Sequence, residues 1–141
     1  MKSGILVGVQ FTCIGWLFLT GHFFAAPPWI WLELAGLGIL AWAVLTMKPH
    51  RVTPMPEVRH NAELVTRGPY RWIRHPMYTG VLLTMGALVL DNLTISRGEV
   101  WIILVVDLAI KLRYEETLLG QRFPDYATYQ RQTRKLLPFI Y

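Results

Sequence analysis

Four largely apolar stretches punctuate the chain, and the length of each limits what it can be. Residues 4–24 carry no charge. About 20 apolar residues at 1.5 Å rise cross the ~30 Å hydrocarbon layer, so this stretch predicts a transmembrane helix. A secretory signal peptide is the rival reading, since Lys2 precedes the run and Ala25-Ala26 resembles a cleavage site. The run exceeds the usual apolar core of a signal, however, and Phe23, Phe24 and Pro27-Pro28 crowd the would-be site. Residues 29–47 form a second span, interrupted only by Glu33, with Trp29, Trp31 and Trp42 as interfacial or packing aromatics and Pro27-Pro28 as the turn before it. Residues 48–76 are polar and rich in Pro and Arg, which predicts an extramembrane loop. The third span, residues 77–90, is short for a full crossing and is accommodated by extension toward Ile95 or by a thin bilayer. The fourth, residues 100–112, contains Asp107, and its helical pattern continues through Lys111, Tyr114, Glu115 and Leu118 to Gly120, a C-cap candidate. After Phe123-Pro124, residues 125–135 predict a short surface helix capped by Asp125 and ended by Pro138. The pattern predicts an all-α integral membrane protein of about four transmembrane helices, a single domain over residues 1–141 with a cytoplasmic C-terminal helical segment.

Composition agrees with that reading. Of 141 residues 53% are apolar or aromatic and 16% charged, against roughly 25% charged in soluble domains. With a mean hydropathy of +0.35, a disordered or solvating chain is excluded. The single cysteine, Cys13, rules out an internal disulfide framework and a Cys-rich zinc site, and reads as a small packing residue. The net charge of +5 raises nucleic-acid binding as a reading, but the basic residues track the flanks of the apolar spans. Four crossings place Lys2, the loop residues Lys48, Arg51, Arg59, Arg67, Arg71 and Arg74, and the C-terminal basic residues on one side, with Arg97 alone opposite. The positive-inside bias then assigns both termini and the central loop to the cytoplasm.

Two polar segments are too specific in kind for orientation alone. Gly68-Pro69-Tyr70-Arg71-Trp72-Ile73-Arg74-His75-Pro76-Met77-Tyr78-Thr79-Gly80 joins a turn, aromatics and basic residues to the mouth of a helix that begins at Pro76. Glu115-Glu116 lies on the emerging end of the fourth helix, where adjacent carboxylates 100° apart cannot share a face. These motifs, with Phe123, Tyr126, Tyr129 and Leu137-Pro138, resemble the isoprenylcysteine carboxyl methyltransferase and phospholipid methyltransferase superfamily of membrane enzymes, over about residues 60–141. The resemblance implies a helical membrane fold that uses S-adenosylmethionine, released as S-adenosylhomocysteine, without a Rossmann domain. Gly36-Leu37-Gly38 opens no strand-turn-helix unit and does not contradict it.

The residue types fit that chemistry. The cofactor's ammonium needs an anion, for which Glu115 or Glu116 serves and Glu116 is preferred; its carboxylate needs Arg74 or His75; Tyr70, Trp72 or Tyr78 can stack on adenine or face the sulfonium. With Pro76 and Gly80 these make the candidate cofactor site, and Arg131 is the candidate for orienting an acceptor carboxylate or phosphate. Gln132 and Arg134 stand where relatives often have Arg and Pro, so the acceptor side departs from the family pattern. Each residue has a plainer reading: His75 as a partner for a backbone carbonyl, Glu115 in an i,i+4 pair with Lys111, Asp107 paired with Lys111, Arg131 against anionic lipid. The function implied is methyl transfer to a hydrophobic or amphiphilic acceptor: a prenylcysteine-type carboxylate, a lipid amine or a small thiol. The alternative is a non-catalytic scaffold that binds lipid or a partner helix.

Overall fold

A computed structural model describes residues 2–48, 52 and 63–137. Arg51, Arg59 and Pro138 lie outside the described residues. Among the described residues there are five α-helices, α1 (Lys2–Leu19), α2 (Trp29–Met47), α3 (Pro76–Asp91), α4 (Ile95–Arg122) and α5 (Tyr126–Gln132), with one turn of 3-10 helix at Gly68–Arg71. Among the described residues there is no strand, only a single parallel bridge between Ile73 and Arg134. The all-α expectation holds. Among the described residues only α2 is long and apolar enough, by length and composition, to cross a membrane; α1 and α3 are shorter apolar helices.

α1, α3 and α4 share the core, where Cys13 and Leu17 meet Met85, Leu88, Val89, Leu104 and Leu108. α2 packs on the other side of α3, through small residues. A Cβ on Gly80 would lie 2.8 Å from the Gly36 carbonyl oxygen, and one on Gly36 would lie 2.6 Å from the Thr84 hydroxyl. The two backbones are therefore in contact, and Gly80 is a packing residue facing α2.

Several element ends differ from the sequence expectation, each for a local reason. α1 stops at Leu19 instead of running to Phe24, because the next residues meet polar partners. Gly21 leaves space for the Arg97 guanidinium, Ala25 N–H donates to Glu33 (2.7 Å) and Ala26 N–H to Asp91 (2.8 Å). Those two carboxylates hold the α1–α2 connection. Arg97, expected as an exposed flanking charge, is 2% exposed. Its guanidinium donates to the carbonyls of Leu17 and Leu88, both at 2.9 Å, and to the Thr20 hydroxyl. It thus caps the end of α1, whose last carbonyls have no helical partner, and shares the Leu88 carbonyl with the Asn92 N–H.

Gly120 does not cap α4. The helix runs on to Arg122 and ends at Phe123, which is extended (φ −114°, ψ 115°) because Pro124 follows. α5 ends at Gln132 rather than continuing through Lys135. Thr133 turns extended, and the chain then runs beside the segment before α3, with Arg134 N–H donating to Trp72 and Arg74 and His75 N–H donating to Arg134 and Lys135. α5 is also no surface helix on its inner face, since Tyr126 and Tyr129 are buried.

Candidate functional site

The site forms where three separate segments meet: the approach to α3, the far end of α4, and the tail that follows α5. The approach is shaped by Gly68, whose φ of 59° requires glycine and whose Cα lies against Thr46, where a Cβ would sit 2.6 Å from the hydroxyl. The turn it starts buries Pro69 and Tyr70. Pro76 then opens α3 as its first residue, and His75 before it takes a non-helical conformation (φ −124°, ψ 57°). That directs Arg74 and His75 at the two carboxylates of α4.

Arg74 donates from Nε to Glu116 Oε1 (2.7 Å) and from Nη1 to the carbonyls of Gln130 (3.1 Å) and Thr133 (2.7 Å). One guanidinium therefore ties α4, α5 and the tail together. His75 is buried between the carboxylates, with Nδ1 3.4 Å from Glu115 Oε2 and Nε2 3.4 Å from Glu116 Oε1. Nε2 nevertheless has no hydrogen-bond partner. Tyr78, one turn into α3, stacks on the His75 ring at 5.6 Å and 4° and donates its hydroxyl to Glu115 Oε1 (2.7 Å). The Lys135 ammonium stands 4.0 Å from Glu116 Oε2. Tyr70 joins from the flank, its carbonyl accepting from the Tyr129 hydroxyl (2.6 Å).

Electrostatics separates the two carboxylates. Burial alone raises Glu116, but His75 and Arg74 outweigh it and hold the carboxyl at about 2. Burial alone lowers His75, and the hydrogen-bonding and charge of Glu115 and Glu116 reverse this, raising it above its ordinary value. Burial, Tyr129 and Glu115 push the Tyr70 phenol up, so it stays a neutral donor at physiological pH. Both oxygens of Glu116 face cations, and its side chain is 11% exposed; Glu115 is 21% exposed and shares only His75. Glu116 is consequently the anchored carboxylate and Glu115 the more available one.

Linkage gives the cluster a signature in pH. Glu116 is lowered from 4.5 to about 2, so its contribution to stability is full above 4.5 and lost as pH falls from there toward about 2. His75 is raised from 6.5, so its contribution is full below 6.5 and lost as pH climbs through the raised value. Thermal midpoints in detergent are expected to be highest between these limits and to decline on both sides. His75→Gln should abolish the cluster's part of the alkaline decline; an unchanged alkaline limb would show that His75 is not charged in the fold.

Of the residues expected from sequence, Tyr70, Arg74, His75, Pro76, Tyr78, Glu115 and Glu116 converge. Gly80 faces α2 instead, and Arg131 is exposed on α5. Trp72 is exposed beside Trp42, their rings 5.9 Å apart. Glu115 pairs with Tyr78 and His75 rather than with Lys111, whose ammonium donates to Gln10 (2.6 Å). Sequence reasoning missed the tail: the carbonyls of Gln130 and Thr133 on Arg74, and that of Leu136, which accepts from Thr79 Oγ1 (2.6 Å). Backbone acceptors carry no residue signature, so nothing in the sequence marks them. Among the described residues no group of three or more His, Cys, Asp or Glu is arranged to hold a metal ion.

Comparison with known proteins bears on the same segments. The sequence model of the isoprenylcysteine carboxyl methyltransferase family matches residues 29–121. The chain is 31% identical over 126 residues to the nickel-cobalt-cadmium resistance protein NccN of Alcaligenes xylosoxydans xylosoxydans, covering 85% of this chain and 57% of that protein. It is 33% identical over 126 residues to the cobalt-zinc-cadmium resistance protein CzcN of Cupriavidus metallidurans, covering 85% of this chain and 56% of that protein. The chain thus spans a little over half the length of these relatives. No solved structure matches it.

Proposed function

The chain belongs to the isoprenylcysteine carboxyl methyltransferase family, and from that premise we propose that it transfers a methyl group from S-adenosylmethionine to a hydrophobic or amphiphilic acceptor at a membrane surface. The observation that carries this reading is the His75–Glu115–Tyr78 arrangement: a part-exposed carboxylate fixed by a phenol, beside a buried imidazole nitrogen that makes no hydrogen bond. These residues fit the cofactor. His75 Nε2 faces Glu116 at 3.4 Å without making a hydrogen bond, a donor that the amino-acid carboxylate would meet, and Glu115 offers an anion to the ammonium. When bound, S-adenosylmethionine supplies an electrophilic methyl group on a sulfonium.

The chain's own part is to hold and to exclude water. Glu115, held by the Tyr78 hydroxyl, would hold the ammonium; His75, whose pKa the two facing carboxylates raise, would offer Nε2–H to the carboxylate; the His75 and Tyr78 rings give a stacked face for apolar or cationic surface. Arg74 and Glu116 brace the floor. Alignment and desolvation of an acceptor lone pair then account for the rate without a covalent enzyme intermediate. Acceptors that fit are a prenylcysteine-type carboxylate, a lipid amine or a small thiol. The resistance for which the relatives are named makes growth under cobalt, zinc or cadmium the setting in which to seek the acceptor.

Calorimetric titration of the detergent-solubilised protein with S-adenosylhomocysteine tests the reading. Binding supports it; absence of binding returns the fold to a scaffold for lipid or a partner helix. We propose further that α1 to α4 cross the bilayer with the site on the cytoplasmic side. Ser96, exposed at the start of α4, and Arg67, exposed before the 3-10 turn, then lie on opposite faces. Cysteines at these two positions, in a Cys13→Ser background, are expected to label from opposite sides in oriented vesicles. Labelling from one side would end the four-crossing arrangement.

A further inference from the structure

Below the site lies a second set of polar groups, inside the bundle, that the methyl-transfer reading does not use. Lys111 is 1% exposed, Asp107 one helical turn before it 5%, and Gln10 on α1 8%. An ammonium among apolar helices carries a heavy desolvation cost, and an ionisable residue at such depth is a functional candidate by default. The partners here do not offset that cost as a carboxylate at hydrogen-bond distance would. Lys111 Nζ donates to the neutral amide of Gln10 at 2.6 Å and stands 5.5 Å above the ring of Tyr78. That ring is the same one that stacks on His75 and whose hydroxyl holds Glu115. A continuous chain of contacts therefore runs from α1 through Gln10, Lys111 and Tyr78 to Glu115.

From this geometry we infer that Lys111, held in place by Gln10, is a positioning residue that fixes Tyr78 beneath Glu115 and so sets the carboxylate for a cationic ligand. The inference rests on the cofactor reading of Glu115. It assigns α1 a part in the site, although α1 lies outside the residues that match the family. The ammonium attracts the electron-rich face of the phenol and restricts the ring to one rotamer. Tyr78 in turn delivers its hydroxyl to one oxygen of Glu115, leaving the other oriented by His75. Lys111 touches no ligand itself; its effect passes entirely through Tyr78.

A positioning role and a merely structural one part company in a double variant. Lys111→Met alone strands the Gln10 amide, whereas Lys111→Met with Gln10→Leu replaces the buried ammonium and its partner together by apolar side chains, a change that is commonly neutral or stabilising in a packed interior. The thermal midpoint of that double variant in detergent is expected to hold or rise while the dissociation constant for S-adenosylhomocysteine increases about tenfold. On a Tyr78→Phe background, where the link to Glu115 is already cut, the same two changes are expected to add nothing. Gln10→Leu should show a smaller loss of affinity, and Gln10→Glu, which still accepts from Lys111, should bind as wild type does. Unchanged affinity in the double variant, a loss that persists in full on Tyr78→Phe, or a loss seen only with a lowered midpoint overturns the inference. Failure of the wild-type protein to bind S-adenosylhomocysteine overturns the cofactor reading instead, so the two are told apart.

Discussion

Arg74→Ala is expected to release the end of the chain from the bundle and to cost about 3 to 5 kcal/mol, the range for removing one partner of a buried ion pair. The size follows from what the guanidinium holds. It bridges Glu116 on α4 to the carbonyls of Gln130 and Thr133. Its removal leaves a mostly buried carboxylate with His75 and the more distant Lys135, and two backbone acceptors without their donor. Loss of the Gln130 and Thr133 contacts should expose the chain after Phe123, so limited proteolysis there is expected to speed up before the bundle itself unfolds. Arg74→Lys keeps the charge but not the planar fork, and should recover only part of the lost thermal midpoint. Wild-type proteolysis and an unchanged midpoint in Arg74→Ala would show that the tail is held by something else.

For Glu115→Gln the expected result is the reverse: stability near wild type and a ~30-fold weaker affinity for S-adenosylhomocysteine, which is about 2 kcal/mol at 1.4 kcal/mol per decade. The substitution keeps an acceptor for Tyr78 and removes the charge offered to the ammonium. Truncating one partner of a desolvated charge pair costs 2 to 5 kcal/mol, and the lower end suits a side chain 21% exposed. Glu116→Gln should instead behave like a milder Arg74→Ala, lowering the thermal midpoint. Equal affinities for wild type and Glu115→Gln would take Glu115 out of the site.

Reading these two glutamates apart required coordinates. Sequence placed both on the end of one helix, where 100° of rotation says that only one can point inward, and preferred Glu116 for the ligand. It could not say that the inward one is already neutralised by Arg74, which approaches from a segment 42 residues away. By contrast, the Arg74-His75-Pro76 start of α3 was legible, since proline fixes both its own backbone and that of the residue before it. So were the limits of α2, set by a continuous apolar run between prolines and a charged loop. The ends of α1, α4 and α5 were not, because each is decided by a partner distant in sequence or by the residue before a proline. Gly80 shows the same limit from another side. Its place in a motif suggested the pocket, whereas the close approach of α2 explains the missing side chain.

Arg97 has a consequence for the order in which the molecule can be assembled. The carbonyls of Leu17 and Leu88 that its guanidinium occupies belong to helices synthesised before it. As the chain lengthens from its N-terminus, the Leu17 carbonyl at the end of α1 lacks its donor until residue 97 arrives. The start of α4 therefore acts as a keystone: α1 and α3 are laid down first, and Arg97 ties their ends to each other. If α1 to α4 cross the bilayer as proposed, an insertion machinery that released α1 alone into lipid would leave the Leu17 carbonyl without water or this donor. Joint retention of α1 and α3 until α4 arrives would satisfy it within the protein.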